Sequence, residues 1–195
     1  LGAFRTLRDF HPSLNLQALD LYLHYQYIPA PFSIYNEVQK LPPAHYLIMQ
    51  ADGRTTGPKR YWDLVFQPDF RLTENEWIEL LDAGLRETIR LHLVSDVPFG
   101  AFLSGGVDSG AVVAYMRQMM APAVRTFTVG YKESEFDERQ YAREVADRLG
   151  TEHKEEVLEP EALNILPTLA KHYGEPFGDD SAICTYYVSQ IAARD

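Results

Sequence analysis

Six consecutive residues, Ser104-Gly105-Gly106-Val107-Asp108-Ser109, combine groups that bind phosphate. Two hydroxyls donate and accept hydrogen bonds, and two glycines permit backbone angles closed to other residues. Asp108 adds one carboxylate, the ligand type that a hard cation such as Mg2+ takes. Such a set works only if flanking elements hold it. The run before it, Phe99 to Leu103, is mostly apolar and predicts a strand covered on both faces. The run after it, Ala111 to Met116, continues as helix. A strand, a glycine turn and a helix start gather backbone N–H groups around one point, which is a place for an anion.

Other glycine motifs fail on single residues. Gly100 and Gly105 have the Walker A spacing, but Gly106 stands where that loop needs lysine. No GxGxxG dinucleotide fingerprint occurs, and Phe102 occupies the first glycine position of a GxSxG nucleophile elbow. The stretch resembles the PP-loop of ATP pyrophosphatases, enzymes that split ATP between the α and β phosphates and activate a carboxylate or carbonyl as its adenylate. An ordinary glycine-rich β–α turn accounts for Gly105 and Gly106, but not for Ser104, Asp108 and Ser109 as well.

The 195 residues carry a net charge of −10, which argues against a general nucleic-acid binder, since phosphate backbones need clustered Lys and Arg. An acidic protein that binds ATP must build its positive field locally, from helix N–H groups and magnesium. Hydrophobic residues make up 46%, enough for a sizeable core. Cys184 is the single cysteine, so no intrachain disulfide forms and a reducing, cytoplasmic setting is expected. No apolar run is long enough to span a bilayer, and no membrane partner is expected. The chain opens on Leu1 rather than Met and closes on Asp195 directly after a helical pattern, and is expected to be cut at both ends.

Along the chain, Leu16, Leu19, Tyr22 and Leu23 recur at helical spacing, with Asn15 as N-cap and Ile28-Pro29-Ala30-Pro31 as the stop. Ser33 to Val38 reads as a strand, Ala44 to Met49 as a second ended by Ala51-Asp52-Gly53, and Arg60-Tyr61-Trp62 as a third. Thr73-Glu74-Asn75-Glu76 has the form of a capping box, opening a helix that runs to Leu93. After the phosphate loop the pattern alternates strictly. Strands are expected at Arg125–Gly130 and His153–Leu158, and helices at Asp137–Leu149 (closed by Gly150), Pro160–Tyr173 and Ser181–Ala193. Repeated β–α units imply an α/β fold, a parallel sheet with helices on both faces.

Ligands of such sheets lie beyond the carboxyl ends of the strands. That places Ser104–Ser109 for phosphates, and Gly130–Phe136 for adenine. Backbone groups of Leu103 and Val129 are placed to read the adenine edge, with Phe102 or Val129 packing on the ring. Asp108 is the expected magnesium ligand, a helix-capping aspartate being the simpler alternative. Asp179 and Asp180 suit either a second metal or substrate site or a helix cap, and both readings stand. The charged run Lys132 to Glu138 reads as a solvated lid or helix start, and Cys184 as buried filler.

The resemblance extends beyond the loop. Leu41-Pro42-Pro43-Ala44-His45-Tyr46-Leu47, Tyr61-Trp62-Asp63, Val97 to Ser109, Phe127-Thr128-Val129-Gly130, Phe136-Asp137-Glu138 and Glu175-Pro176-Phe177 resemble, in that order, the glutamine-hydrolysing asparagine synthetase family. The resemblance implies that residues 1–63 are the tail of an N-terminal nucleophile glutaminase domain, a small α+β remnant. Residues 64–72 would be a linker, and 73–195 the first half of a PP-loop synthetase domain. It implies adenylation of the aspartate side-chain carboxylate by ATP with Mg2+, release of pyrophosphate, and attack by ammonia drawn from glutamine. The nucleotide would be held by Leu103, Ser104, Gly105, Gly106, Val107, Asp108, Ser109, Val129 and Gly130, with Asp108 on the metal and in the catalytic role. Partners would be these small molecules; a homodimer is compatible with the resemblance, and the sequence itself fixes no oligomeric state.

The family's catalytic N-terminal cysteine does not occur here, and its later Ser-Gly-x-Gly-x-Asp-Glu loop would follow Asp195. The chain alone is therefore expected to be inactive, and either to self-associate or to show mobile segments, since a strand edge and apolar helix faces that its missing half would cover are exposed. Cys184 stands where proline is more usual and Asp180 where serine is common, which leaves the carboxylate substrate open. β-Lactam synthetase, lasso-peptide cyclase and amidotransferases of polysaccharide clusters share the architecture. A non-catalytic nucleotide-binding remnant is the reading from another class. A tRNA-modifying PP-loop enzyme is disfavoured by the acidic charge, the lone cysteine and the glutaminase-like leader.

Overall fold

The computed structural model describes residues 1–120, 123–131, 137–158 and 162–194. They form two compact units, one made of Leu1–Pro68 with Glu161–Ala182 and the other of Asp69–Pro160 with Ile183–Asp195.

In the first unit a 3₁₀ turn, Gly2–Thr6, precedes helix α1, Leu16–Tyr25. The Asn15 side chain accepts from the Ala18 N–H, as an N-cap should. The helix stops three residues before Pro29, at Gln26, whose φ of 63° is left-handed. Ala18, Ile28, Ile34 and Tyr35 form the core, flanked by Phe10, Leu19, Tyr22 and Phe32. The strand expected over Ser33–Val38 does not form; a single bridge joins Leu14 to Tyr35. The reason lies in Ser33, which is fully buried. Its hydroxyl donates to the Tyr35 and Val38 carbonyls and accepts from the Tyr35 N–H, replacing ladder bonds by local ones.

Strands β1, His45–Met49, and β2, Thr55–Arg60, make an antiparallel hairpin around Gly53. The third strand thus lies before Tyr61, not across it; β2 contains Gly57 and Pro58 and lacks apolar alternation, so no strand signal marked it. Helix α5, Ala162–Tyr173, completes this unit's helices apart from the first residues of α6, Ser181–Arg194. The start of α5 expected at Pro160 lies outside the described residues.

The second unit opens with α2, Glu74–His92, and the capping box is present in both directions between Thr73 and Glu76. Its sheet has three parallel strands in the order β3 (Ala101–Phe102), β4 (Arg125–Tyr131), β5 (Glu152–Leu158). Helix α3, Val107–Met119, connects β3 to β4, and α4, Arg139–Leu149, connects β4 to β5. Paired residues of parallel strands share a face. Ala101, Leu103, Thr126 and Thr128 face α3 and α4, where Val113, Ala142 and Ala146 are buried. Phe127 and Val129 face α6, against Val188 and Ile191. The α/β sheet covered by helices on both faces is therefore present. The expected strand Phe99–Leu103 is shorter, and Phe102 keeps 49% of its surface exposed, so that end of β3 is open on one side.

Two threonines mark the α3–α4 face of β4. Thr128 donates its hydroxyl to the Leu103 carbonyl, and the Thr126 hydroxyl lies 2.9 Å from both the Thr151 hydroxyl and His153 Nδ1. Buried polar groups are tolerable here because each is bonded.

Candidate functional site

The loop between β3 and α3 stands at the carboxyl end of its strand. Leu103 donates its N–H to the Phe127 carbonyl at 2.9 Å and is 1% exposed, so the chain stays in the ladder until the residue before Ser104. Each backbone group of Leu103 thus has one partner within the sheet, and the second lone pair of its carbonyl is left over.

Ser104 and Ser109 close the loop on itself. Their hydroxyls are 3.0 Å apart, the Ser109 hydroxyl accepts from the Ser104 N–H at 3.3 Å, and the Ser104 hydroxyl accepts from the Gly106 N–H at 3.3 Å. Gly105 has φ +81°, and a Cβ there would lie 2.6 Å from the Ala142 nitrogen and the Tyr141 carbonyl carbon in α4. Only glycine fits, for conformation and for space. Tyr141 and Ala142 were not among the expected site residues; nothing in their types marks them, since their part is to approach closely.

Gly106 is the N-cap of α3 and offers no side-chain cap. Val107, Asp108 and Ser109 fill the first turn, whose N–H groups have no acceptor inside the helix. Val107 is 88% exposed and Asp108 is exposed beside it, so the first turn of α3 is open to solvent. The positive end of α3 and these donors are suited to an anion. Among the described residues no group of three or more His, Cys, Asp or Glu side chains gathers to hold a metal. Asp108 stands as one exposed carboxylate, a set that fits Mg2+ when phosphate oxygens and water supply the remaining ligands.

Val129 is half-buried and Gly130 buried at the end of β4. A Cβ at Gly130 would run into the Asp137 carboxylate and come within 2.6 Å of Arg139 Cδ. Those two residues form a two-point ion pair, Arg139 Nε to Asp137 Oδ1 at 2.8 Å and the terminal nitrogen to Oδ2 at 2.7 Å. The hydrogen bond from the Arg139 side chain holds the Asp137 carboxyl below its ordinary range, and the same bond raises Arg139. This pair plugs the base of α4 behind Gly130. The alternation of sign at Asp137 and Arg139 was its only trace in the sequence. Residues 132–136 of the expected adenine loop lie outside the described residues.

Asp179 serves α6 as a cap, with Oδ1 accepting from the Ser181 N–H at 2.9 Å; hydrogen bonds from Ser181 hold its carboxyl below the ordinary range. Asp179 and Asp180 also line a cleft of about 310 Å3, with Tyr25, Gln26, Tyr27, Phe177 and Gly178. Cys184 is partly rather than fully buried, its sulfur in contact with the Tyr131 hydroxyl.

Comparison with known proteins adds the family. The asparagine synthase model matches residues 80–195, and the glutamine amidotransferase domain model matches residues 1–62. The chain belongs to the asparagine synthase family. It is 32% identical over 182 residues to asparagine synthetase [glutamine-hydrolyzing] 1 of Bacillus subtilis, covering 93% of this chain and 28% of that protein. It is 35% identical over 187 residues to the putative asparagine synthetase [glutamine-hydrolyzing] 2 of Methanocaldococcus jannaschii, covering 93% and 35% respectively. A putative asparagine synthetase of Mycobacterium tuberculosis matches at 28% over 96% of this chain and 29% of its own length. The chain thus spans about a third of the length of these relatives. Among the described residues no helix is long and apolar enough to cross a membrane.

Proposed function

We propose that the chain carries the nucleotide-binding part of an ATP-dependent amide ligase. The reaction is aspartate, ATP and glutamine or ammonia to asparagine, AMP and pyrophosphate, through a β-aspartyl adenylate. The observation that carries this reading is the loop Ser104–Ser109, closed by its own hydroxyls and leading into the first turn of α3, which no side chain caps. The N–H groups of Val107, Asp108 and Ser109 and the hydroxyls of Ser104 and Ser109 hold the β and γ phosphates of ATP. Adenine packs at the open carboxyl end of β3 beside Phe102 and Val129, with the backbone of Leu103 and Gly130 behind them. Asp108 would hold Mg2+, which neutralises charge on the departing pyrophosphate. The aspartate carboxylate attacks the α phosphorus, pyrophosphate leaves toward the loop, and ammonia displaces AMP. Residues 1–63 act as the end of a glutaminase domain that supplies the ammonia, 64–72 as a linker and 73–195 as the synthetase part. The substrates are small molecules of the cytoplasm.

The test uses the protein produced from the complete gene. Asp108→Asn is expected to lower aspartate-dependent exchange between ATP and pyrophosphate by about 10²-fold or more, because charge stabilisation at the transferring phosphates is lost. Glutamine hydrolysis stays unchanged. Unaltered pyrophosphate release in that variant would refute the role of Asp108.

A further inference from the structure

The two family matches do not coincide with the two compact units. Residues 161–182 fall inside the synthase match, yet they fold together with residues 1–68, which contain the amidotransferase match. What joins them is specific. Glu175 Oε1 pairs with Lys40 Nζ, which also donates to the Ile28 carbonyl at 2.6 Å. The Gly178 N–H donates to the Gln26 carbonyl at 2.7 Å, and a Cβ at Gly178 would already lie 3.1 Å from Gln26 Cβ. Tyr173 and Phe177 stack with centroids 4.5 Å apart, stiffening the loop between them.

The Glu175 side chain is 15% exposed and that of Lys40 31%, so the pair is largely withdrawn from water. Among the described residues the second carboxylate oxygen, Oε2, is buried with no hydrogen-bond partner. A withdrawn ion pair with one oxygen unsatisfied is poor value as a stabiliser compared with apolar contacts, and its attested use is to fix register. Here it fixes a segment of one family match on a segment of the other.

We propose that Lys40 and Glu175 are positioning residues that lock the 173–180 loop onto the amidotransferase-matched segment, and that this lock couples nitrogen supply to amide synthesis. The coupling rests on the function proposed above; the lock itself does not. Without the pair, only the Gly178 bond and the packing around it hold the loop to residues 26–40, and that hold loosens. Neither residue touches the phosphate loop, so ammonia added directly needs no lock.

Two measurements separate these claims. In this chain, amide hydrogen exchange is followed over residues 26–40 and 173–180 in Lys40→Met, Glu175→Gln and the charge-keeping Lys40→Arg. The expected result is at least tenfold faster exchange in both segments for Lys40→Met and Glu175→Gln, and a rate within about threefold of the unsubstituted chain for Lys40→Arg, which keeps donors for both Glu175 and the Ile28 carbonyl. Faster exchange confined to the substituted segment, or equally fast exchange in Lys40→Arg, would overturn the lock. In the protein from the complete gene, Glu175→Gln is expected to lower the ratio of glutamine-dependent to ammonia-dependent amide formation at least fivefold, with ammonia-dependent turnover kept. An unchanged ratio would overturn the coupling even where exchange confirms the lock. Absence of amide formation by the unsubstituted protein from either nitrogen source would overturn the proposed function and the coupling with it, while the exchange result still decides the lock.

Discussion

Two loops in this protein follow one plan, and they are held in opposite ways. Ser104–Ser109 and Glu175–Asp180 each carry glycine and an acid and each lead into a helix. The first is closed by its own side chains, Ser104 to Ser109, five residues apart. The second is held by Gln26 and Lys40, more than a hundred residues earlier. A loop closed by its own side chains leans less on distant residues, which suits the phosphate site proposed for it. A loop fixed by distant residues has a shape that reports on them, which suits a connection.

The sharpest way to break the first loop is Gly105→Ala. Positive φ and backbone atoms 2.6 Å from the new Cβ together are expected to cost about 3 kcal/mol or more, read as a lower urea midpoint. Gly53→Ala is the control, since its φ of +85° stands in open space; about 1 kcal/mol is expected there. For the second loop, Lys40→Met leaves Glu175 unpaired. A fully buried pair would cost about 3–5 kcal/mol, and partial exposure reduces the expectation to about 2 kcal/mol in the same assay. Ser104→Ala and Ser109→Ala are expected to cost about 1 kcal/mol each, and the double variant less than their sum, because both remove one shared bond. Full additivity would show that the hydroxyls do not close the loop.

The smallest effect is a pH slope. Burial lowers the pKa of His153, whose Nε2 is enclosed without a hydrogen-bond partner among the described residues. Glu155, Arg143 and Asp147 face it, and burial outweighs their charges. The unfolded chain then takes up a proton at His153 before the folded chain does as pH falls. Stability contributed by the neutral ring is present above the unfolded value of about 6.5 and is lost as pH falls from there toward the folded value. His153→Gln should flatten thermal stability over that window, and an unchanged slope would remove His153 as its cause.

The same contrast explains what could be read from the chain. Asn15, the Thr73–Glu76 box and Gly150 act on residues within five positions, and each marked its helix end correctly. The β–α alternation, and with it the parallel sheet, is likewise a local pattern repeated. Ser33–Val38 misled because alternation alone does not show a buried serine taking over the backbone bonds. At the site, the spacing of Ser104 and Ser109 was legible, whereas the approach of Tyr141 and Ala142 to Gly105 was not. Lys40 and Glu175 lie too far apart for any spacing rule to connect them, and each alone reads as an ordinary surface charge.

The bare start of α3 has a consequence for anyone who would engineer this protein. Helices α1 and α2 begin on Asn15 and Thr73, but α3 begins on Gly106. Gly106→Asp supplies the missing cap and is worth a few tenths of a kcal/mol, so selection for heat resistance would favour it. On the function proposed above, the new side chain would take up donors meant for phosphates and add a negative charge beside them. Selection for thermal survival and selection for nucleotide binding would therefore rank this one position in opposite order.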